Sequence, residues 1–519
     1  MDAARSVPDQ YLPKSTRTMI TISIMAAALM NQVDTTIANV ALPHIQGTTS
    51  ASREQVSWVL TSYIIAMAIT TPLTGWLAER FGRRTVLLMS IVGFTISSGL
   101  CGISTQLEEL VMFRVLQGVC GAALMPITQV LMVSINPPEE RGRTMAIFGF
   151  GFVLGPLIGP LLGGWLTDNF SWHWVFLINL PVGALAFIGV STFLPDIRDD
   201  DPRPFDLFGF SLLALGIGMF QLMLDRGDTL DWFHSTEVSI EAGISALMMV
   251  LFAVHISTAS NPFVRLAMFT DRNFNLSLAL GLVLGLLIYG TLSLLPPMLA
   301  GLFGQPIMAI GIVLMPRGLG TALSSMLVGR LVGKVDVRLV AIIGLVGIGL
   351  SSAALAGLSL DSDTKVIVWS GFISGFAMSM LFVPLSIVQF STLPRQYMDE
   401  AAAFAMLFRY LGAAAGISIV QMVTTQNLAA ARSRLTEGLR PDNPWLGWAH
   451  PDVDPTTADG AARLVSEVSR QAMMVAYIDV YWFIALLSFV SIPLALFIRM
   501  PKSQPAAAPP DGAAQAAMH

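Results

Sequence analysis

The chain has 519 residues, of which 54% are hydrophobic and 12% charged, with a mean hydropathy of +0.68 and a formal net charge of −5. A soluble domain carries about 25% charged residues, so the composition excludes one. No basic tract suits nucleic acid, two cysteines are too few for a disulfide framework, and neither a Gly-x-x-x-x-Gly-Lys-Ser/Thr nucleotide loop nor a His/Cys metal cluster is present. An ATP-driven pump is therefore not expected, and neither is a cofactor.

Apolar runs of about 20 residues, the transmembrane-helix signature, recur from end to end. They place fourteen spans at 18–41, 57–77, 85–105, 108–133, 143–166, 174–194, 207–224, 238–258, 275–299, 306–329, 339–358, 365–389, 400–424 and 474–498. Lys14 and Arg17 precede the first run as in a signal peptide. The run continues into Asn31–Asp34 without a small-x-small cleavage site, so it reads as a retained span. An even number of spans puts both termini on one side. Basic residues crowd alternate connections, among them Arg80, Arg83, Arg84, Arg141, Arg143, Arg330, Lys334 and Arg338, whereas the opposite short loops hold only Arg53, Arg226 and Lys365. The positive-inside rule makes the termini cytoplasmic. Cys101 and Cys120 fall within spans and are expected as free, buried thiols. The tail after Arg499, rich in Ala and Pro, is expected to be disordered.

In span 1, Asp34 lies with Asn31, Gln32, Thr35 and Asn39. A carboxylate in hydrocarbon costs roughly 2.5–3.5 kcal/mol, so this face must meet a partner or a water-filled cavity. The exit of span 2, Gly75 to Arg84, needs Gly75 and Gly82 for a tight turn and places Glu79 beside Arg80, Arg83 and Arg84. Such a cluster suits a latch between two bundles; a basic loop set by topology alone is the plainer reading. In span 4, Arg114, Gln117 and Gly121 share a helix face. Asp34 lies eight residues inside Leu42 and Arg114 six inside Glu108, so both sit ~10 Å below the outer surface. An Asp34–Arg114 neighbourhood follows, as a proton site or as a static pair, unless Arg114 snorkels to the interface. Span 5 carries Gly155, Pro156, Gly159, Pro160, Gly163 and Gly164. Small residues at every fourth position permit close packing, and the prolines should bend the helix. Arg317 in span 10 and Arg409 in span 13 lie several turns from either surface, lining a cavity or bonding helix-end carbonyls.

A faint repeat links Gly75–Val86 to Gly329–Val340 and Gly155-x-x-x-Gly159 to Gly412-x-x-x-Gly416. It implies a cytoplasmic segment 1–17, a six-helix bundle over 18–194, a linker with two inserted helices over 195–273, a second bundle over 274–498, and the tail 499–519. Repeated bundles around a central site are a transporter architecture. A polar outer loop, 425–473, carries Trp445 and Trp448 amid Pro and Asp, suited to a protein interface or to an interfacial aromatic belt.

Gly75 to Arg84 resembles the signature loop of the major facilitator superfamily, with Glu79 where Asp is usual. Phe113 to Ala123 resembles its second motif, in which such an arginine lies near the proton site. Gly151 to Gly164 resembles the antiporter motif of its drug exporters. With Asp34–Pro43 and Leu224–Phe233, the chain resembles the fourteen-span drug:proton antiporters of the EmrB/QacA type, on the EmrB side. The resemblance implies proton-coupled multidrug efflux across a Gram-negative inner membrane. It also implies a periplasmic membrane-fusion adaptor and an outer-membrane channel as partners. The mix of aromatic and charged residues in the outer loop and in 225–233 makes Asp225, Arg226, Asp231, Trp232, Trp445 and Trp448 the expected adaptor contacts. An importer, a metabolite, lipid or siderophore exporter, or a non-transporting sensor on the same fold stay open, because fold does not fix function.

Overall fold

Helix follows helix along the chain in the computed structural model, which describes residues 12–196, 204–331, 334–437 and 457–499. The first group comprises α1 (Lys14–Thr49), α2 (Arg53–Thr70), α3 (Leu73–Phe81), α4 (Arg83–Ile103), α5 (Leu107–Gly121), α6 (Leu124–Ser134), α7 (Arg141–Asn169), α8 (Trp174–Leu177) and α9 (Asn179–Phe193). Next come α10 (Leu207–Arg226) and α11 (Thr236–Thr258). The last group is α12 (Arg272–Gly301), α13 (Ile307–Leu331), α14 (Val337–Ala356), α15 (Thr364–Ser391), α16 (Met398–Glu437), α17 (Ala458–Val490) and α18 (Ile492–Leu496). Thirteen segments among the described residues are long and apolar enough to cross a bilayer, and the bent pair α2–α3 makes fourteen.

Two expected spans are broken. Span 2 bends by 57° where Pro72 caps α3, and span 4 divides between α5 and α6 at Ala122–Ala123. Proline has no N–H for the carbonyl four residues back and its ring crowds that carbonyl; Pro126 stands four residues after Ala122. Yet α7 runs unbroken through Pro156 and Pro160. Pro156 leaves the Phe152 carbonyl without its helical donor, and Gln32 Nε2 of α1 donates to that oxygen at 3.4 Å. A neighbouring helix thus restores the lost bond, as membrane bundles commonly do.

α1 packs on α7 and α9, α2 on α5, and α4 on α5 and α9; α12 packs on α16, α13 on α15, and α14 and α16 on α17. In each group the fifth span, α7 or α16, lays its Gly-x-x-x-Gly on the first, α1 or α12. A Cβ at Gly155 would lie 2.4 Å from Gln32 Cβ, at Gly159 2.1 Å from Thr36 Oγ1, and at Gly163 2.8 Å from the Ile37 carbonyl. At Gly412 it would lie 2.0 Å from the Leu282 carbonyl and at Gly416 2.7 Å from Leu286 Cα. Gly164 is buried beside the first stripe. The two groups meet along α7 and α13 and where α3 and α6 reach the start of α16, while α10, paired with α11, packs on α2 and α16.

The described parts of the outer loop expected at 425–473 are helical rather than loop. α16 continues to Glu437 and α17 begins at Ala458, in alanine-rich sequence with surface pairs Arg463–Asp459 at 3.0 Å and Arg470–Glu467 at 3.4 Å. Trp445 and Trp448, the segment 1–11 and the tail 500–519 lie outside the described residues. Cys101 is buried, but Cys120 is only partly so; both are free thiols.

Candidate functional site

Asp34 is wholly buried, and three N–H donors converge on its carboxylate. Arg114 Nη1 donates to Oδ2 at 2.6 Å, Gln117 Nε2 to Oδ1 at 2.9 Å, and Asn179 Nδ2 to Oδ1 at 3.0 Å. Arg114, wholly buried, does not snorkel: Nε donates to the Val59 carbonyl at 2.9 Å, Nη1 to Gln117 Oε1 at 2.8 Å, and its guanidinium lies 4.0 Å from the Tyr63 ring centroid. Asn179 Nδ2 also donates to Ser98 Oγ at 2.9 Å, and Ser98 donates to the Phe176 carbonyl at 2.8 Å. One carboxylate therefore ties α1 to α5 and α9. An ionised carboxylate only accepts hydrogen bonds, whereas a protonated one must also donate. Taking up a proton removes the charge that strengthens these ties and adds an O–H that needs an acceptor of its own.

Asn31 does not touch Asp34. Its Nδ2 donates to Tyr63 Oη at 3.0 Å and to the Gly121 carbonyl at 3.5 Å, joining α1 to α2 and α5. Asn39, expected on the polar face, is exposed and outside the network. Asn179 and Tyr63 escaped the sequence reading. The available signal for Asn179 was an amide inside the apolar run 174–194, the same kind of signal that singled out Asp34.

The turn from Gly75 to Arg84 is dispersed rather than clustered. A Cβ at Gly75 would lie 2.9 Å from Glu400 Cα, so the glycine lets α3 touch the start of α16. Gly82 has φ +82°, a conformation that favours glycine. Arg83 grips Asp399 with Nε at 2.8 Å and Nη2 at 3.0 Å. Arg84 donates to the Ser191 carbonyl at 2.7 Å, and Arg80 stacks 5.6 Å over Trp76. Glu79 accepts from Arg265 Nη2 at 2.8 Å, a residue to which the sequence reading gave no site role. The Gly75–Glu400, Arg83–Asp399 and Glu79–Arg265 contacts, with Gln129 Nε2 donating to Gln389 Oε1 at 3.3 Å, join the two helix groups at the end that carries the basic loops, whereas those of Arg84 and Arg80 stay within the first group.

Arg317 and Arg409 are buried without a carboxylate partner among the described residues. Arg317 Nη2 contacts Met378 Sδ at 3.1 Å and borders a narrow crevice with Val153, Leu157, Ile288 and Leu292. Arg409 Nη2 donates to Gln389 Oε1 at 3.2 Å, and its guanidinium lies 4.9 Å from the Phe382 centroid; Phe382 stacks on Phe152 of α7 at 4.9 Å. Both therefore lie where the groups meet, and neither bonds a helix-end carbonyl in the contacts resolved.

Residues 225–232 are tied mostly into the protein. Asp225 Oδ2 accepts from Thr61 Oγ1 at 2.6 Å, Arg226 pairs with Glu241 at 2.9 Å and with Glu237, and Trp232 packs over Gly227. Asp231, with φ +59°, is exposed.

Residues 24–417 match the Major Facilitator Superfamily. The chain is 32% identical over 488 residues to the multidrug export protein EmrB of Escherichia coli K12, covering 93% of this chain and 95% of that one. It is 35% identical over 425 residues to the fatty acid resistance protein FarB of Neisseria gonorrhoeae, covering 81% and 83%. The proton:xylose symporter XylE superposes with a TM-score of 0.59 at 15% identity, over 93% of this chain and 97% of that structure, which speaks for the fold alone. The chain is a multi-pass membrane transporter that belongs to the Major Facilitator Superfamily, among its EmrB-type export proteins.

Proposed function

We propose that this transporter exports amphipathic compounds in exchange for protons, with Asp34 as the coupling carboxylate. The observation that carries the reading is the buried Asp34 held solely by donors from Arg114, Gln117 and Asn179 among the described residues. In the ionised state the carboxylate locks α1 to α5 and α9. A proton arriving from outside loosens that lock, and its release inward resets it. Each proton entering down 100 mV contributes about 2.3 kcal/mol. Alternating access of the two bundles then carries substrate outward while the proton moves inward. Arg317 and Arg409, buried cations at the meeting face of the bundles, favour substrates with an anionic group beside an apolar body, which Phe152 and Phe382 would receive. No cofactor enters this scheme; the proton gradient drives it.

The termini and the basic loops face the cytoplasm in this reading, and the protein resides in a bacterial inner membrane. A periplasmic adaptor and an outer-membrane channel receive the substrate. The adaptor docks on the outer segment between α16 and α17 and on the exposed Asp231. Purified protein in proteoliposomes under an imposed pH gradient tests the function: a panel of amphipathic compounds should trigger proton movement. A panel that moves no protons, or one that accumulates against the expected direction, contradicts it.

A further inference from the structure

The helix pair α10–α11 stands outside the two bundles, and nothing in the transport scheme above requires it. Its connection to α12 is built with care. Asp206 caps α10 by accepting from the Gly209 amide at 2.8 Å, and it also accepts from the Phe263 amide at 3.0 Å and meets His255 Nε2 at 2.9 Å. Burial alone would raise the Asp206 carboxyl, but these donors hold it below its ordinary value. Phe263, Val264 and Met268 are buried in one core with Leu212 of α10, Ala68 of α2 and Ala401 and Phe404 of α16. Phe205 lies between Trp76 of α3, tilted at 4.7 Å, and Phe263, edge-on at 5.9 Å. The segment from 259 to 271 is thus anchored to the inserted pair and to both bundles at once.

That anchorage delivers Arg265. Its Nη2 meets Glu79 of α3 at 2.8 Å, its Nε meets Glu400 of α16 at 3.4 Å, and its backbone amide donates to Glu400 at 3.4 Å. Nη1 donates to the Gln396 carbonyl at 2.9 Å, and the guanidinium lies 5.2 Å from the Tyr397 centroid. Glu79 and Glu400 belong to different bundles, and both are largely buried. Gly75 brings their helices into backbone contact at this point. One guanidinium therefore bridges two carboxylates that must part when the basic end opens.

We propose that Arg265 is the bolt of the basic-end gate, and that the inserted helix pair serves to hold it there. A planar guanidinium offers donors in a fixed fork, so it satisfies both acids only while α3 and α16 are together. Opening leaves it with one. Arg83–Asp399 closes the same seam independently, from within the bundles. Arg265 adds a contact whose position depends on α10 and α11, so that movement of the inserted pair governs release. Arg265 is a positioning residue; it touches no substrate in this account, and the inference holds whatever compound is exported.

The test uses the full-length protein with Cys101 and Cys120 replaced by serine. Ala402→Cys, buried in the first turns of α16, reports opening of the basic end through its maleimide labelling rate, and Ala41→Cys, buried near the opposite end of α1, serves as control. Arg265→Gln should raise labelling at position 402 at least fivefold and leave position 41 within twofold. Arg265→Lys, which keeps the charge but not the fork, should fall between the parent and Arg265→Gln. Glu400→Gln should act like Arg265→Gln, and the two together should exceed neither alone, because both break one bridge. If Arg265→Gln does not yield folded protein, Glu400→Gln carries the same expectation. Unchanged labelling at 402, an equal rise at both reporters, or additive effects would overturn the proposal.

Discussion

Asp34 accepts hydrogen bonds from an arginine and two amides, and each amide is exchangeable for a test. Asn179→Ala removes one donor to a buried charge, an interaction worth about 1.5–3 kcal/mol. We expect folded protein in which substrate-triggered proton release falls roughly tenfold or more. Normal release from this variant would show that Asn179 is scaffolding. Arg409→Gln should leave export of an uncharged amphipath within about twofold and weaken export of its carboxylate analogue; equal losses would assign Arg409 to structure. The Asp34–Arg114 contact was legible in the sequence because a charge inside an apolar run is expensive enough to stand out, and helix rise alone equalised their depths. Asn179 was not, because an amide raises less alarm. The role of Arg265 was hidden for a different reason: it lies in a connecting segment, one basic residue among many, and only the tertiary packing of Phe263 and Phe205 aims it at Glu79 and Glu400.

The helix elements show where pattern reading succeeds and where it stops. Small residues every fourth position in span 5 foretold close packing, and α7 does pack on the helix that carries Asp34. Gly155→Ala places a Cβ 2.4 Å from Gln32 Cβ, and overpacking of this kind costs typically about 1–3 kcal/mol. Thermal unfolding in detergent should therefore shift down for Gly155→Ala. It should stay put for Gly47→Ala, where nothing lies within 4 Å. The prolines taught the opposite lesson. Pro72 coincides with a 57° bend, yet Pro156 and Pro160 leave α7 continuous. The difference at Pro156 is a donor supplied from another helix, which no local pattern carries. Gln32→Leu should accordingly lower the melting temperature by leaving the Phe152 carbonyl unserved, at about 1–3 kcal/mol; an unchanged melting temperature would show that the carbonyl finds another donor. The polarity of 425–473 suggested a loop, but alanine-rich polar sequence equally suits helix that projects beyond the bilayer.

Across the whole molecule, the seam between bundles is closed at the basic end by Arg83–Asp399, Arg265 and Gln129–Gln389. Arg83→Glu places like charges together at that seam and should increase labelling of a basic-end cysteine several-fold; unchanged labelling and transport would leave the turn with only a topological role. The two-bundle plan was readable from the repeated Gly75 and Gly155 motifs, whereas the side-chain partners across the seam were not, since each lies more than a hundred residues away in sequence. Export in exchange for protons turns on Asp34. The most direct measurement compares the parent chain with Asp34→Asn in proteoliposomes, recording proton release from the lumen on addition of an amphipathic substrate. Asparagine keeps the volume and an acceptor oxygen but cannot ionise. The account predicts folded, substrate-binding protein with no substrate-triggered proton release; release at the parent rate from Asp34→Asn would contradict it.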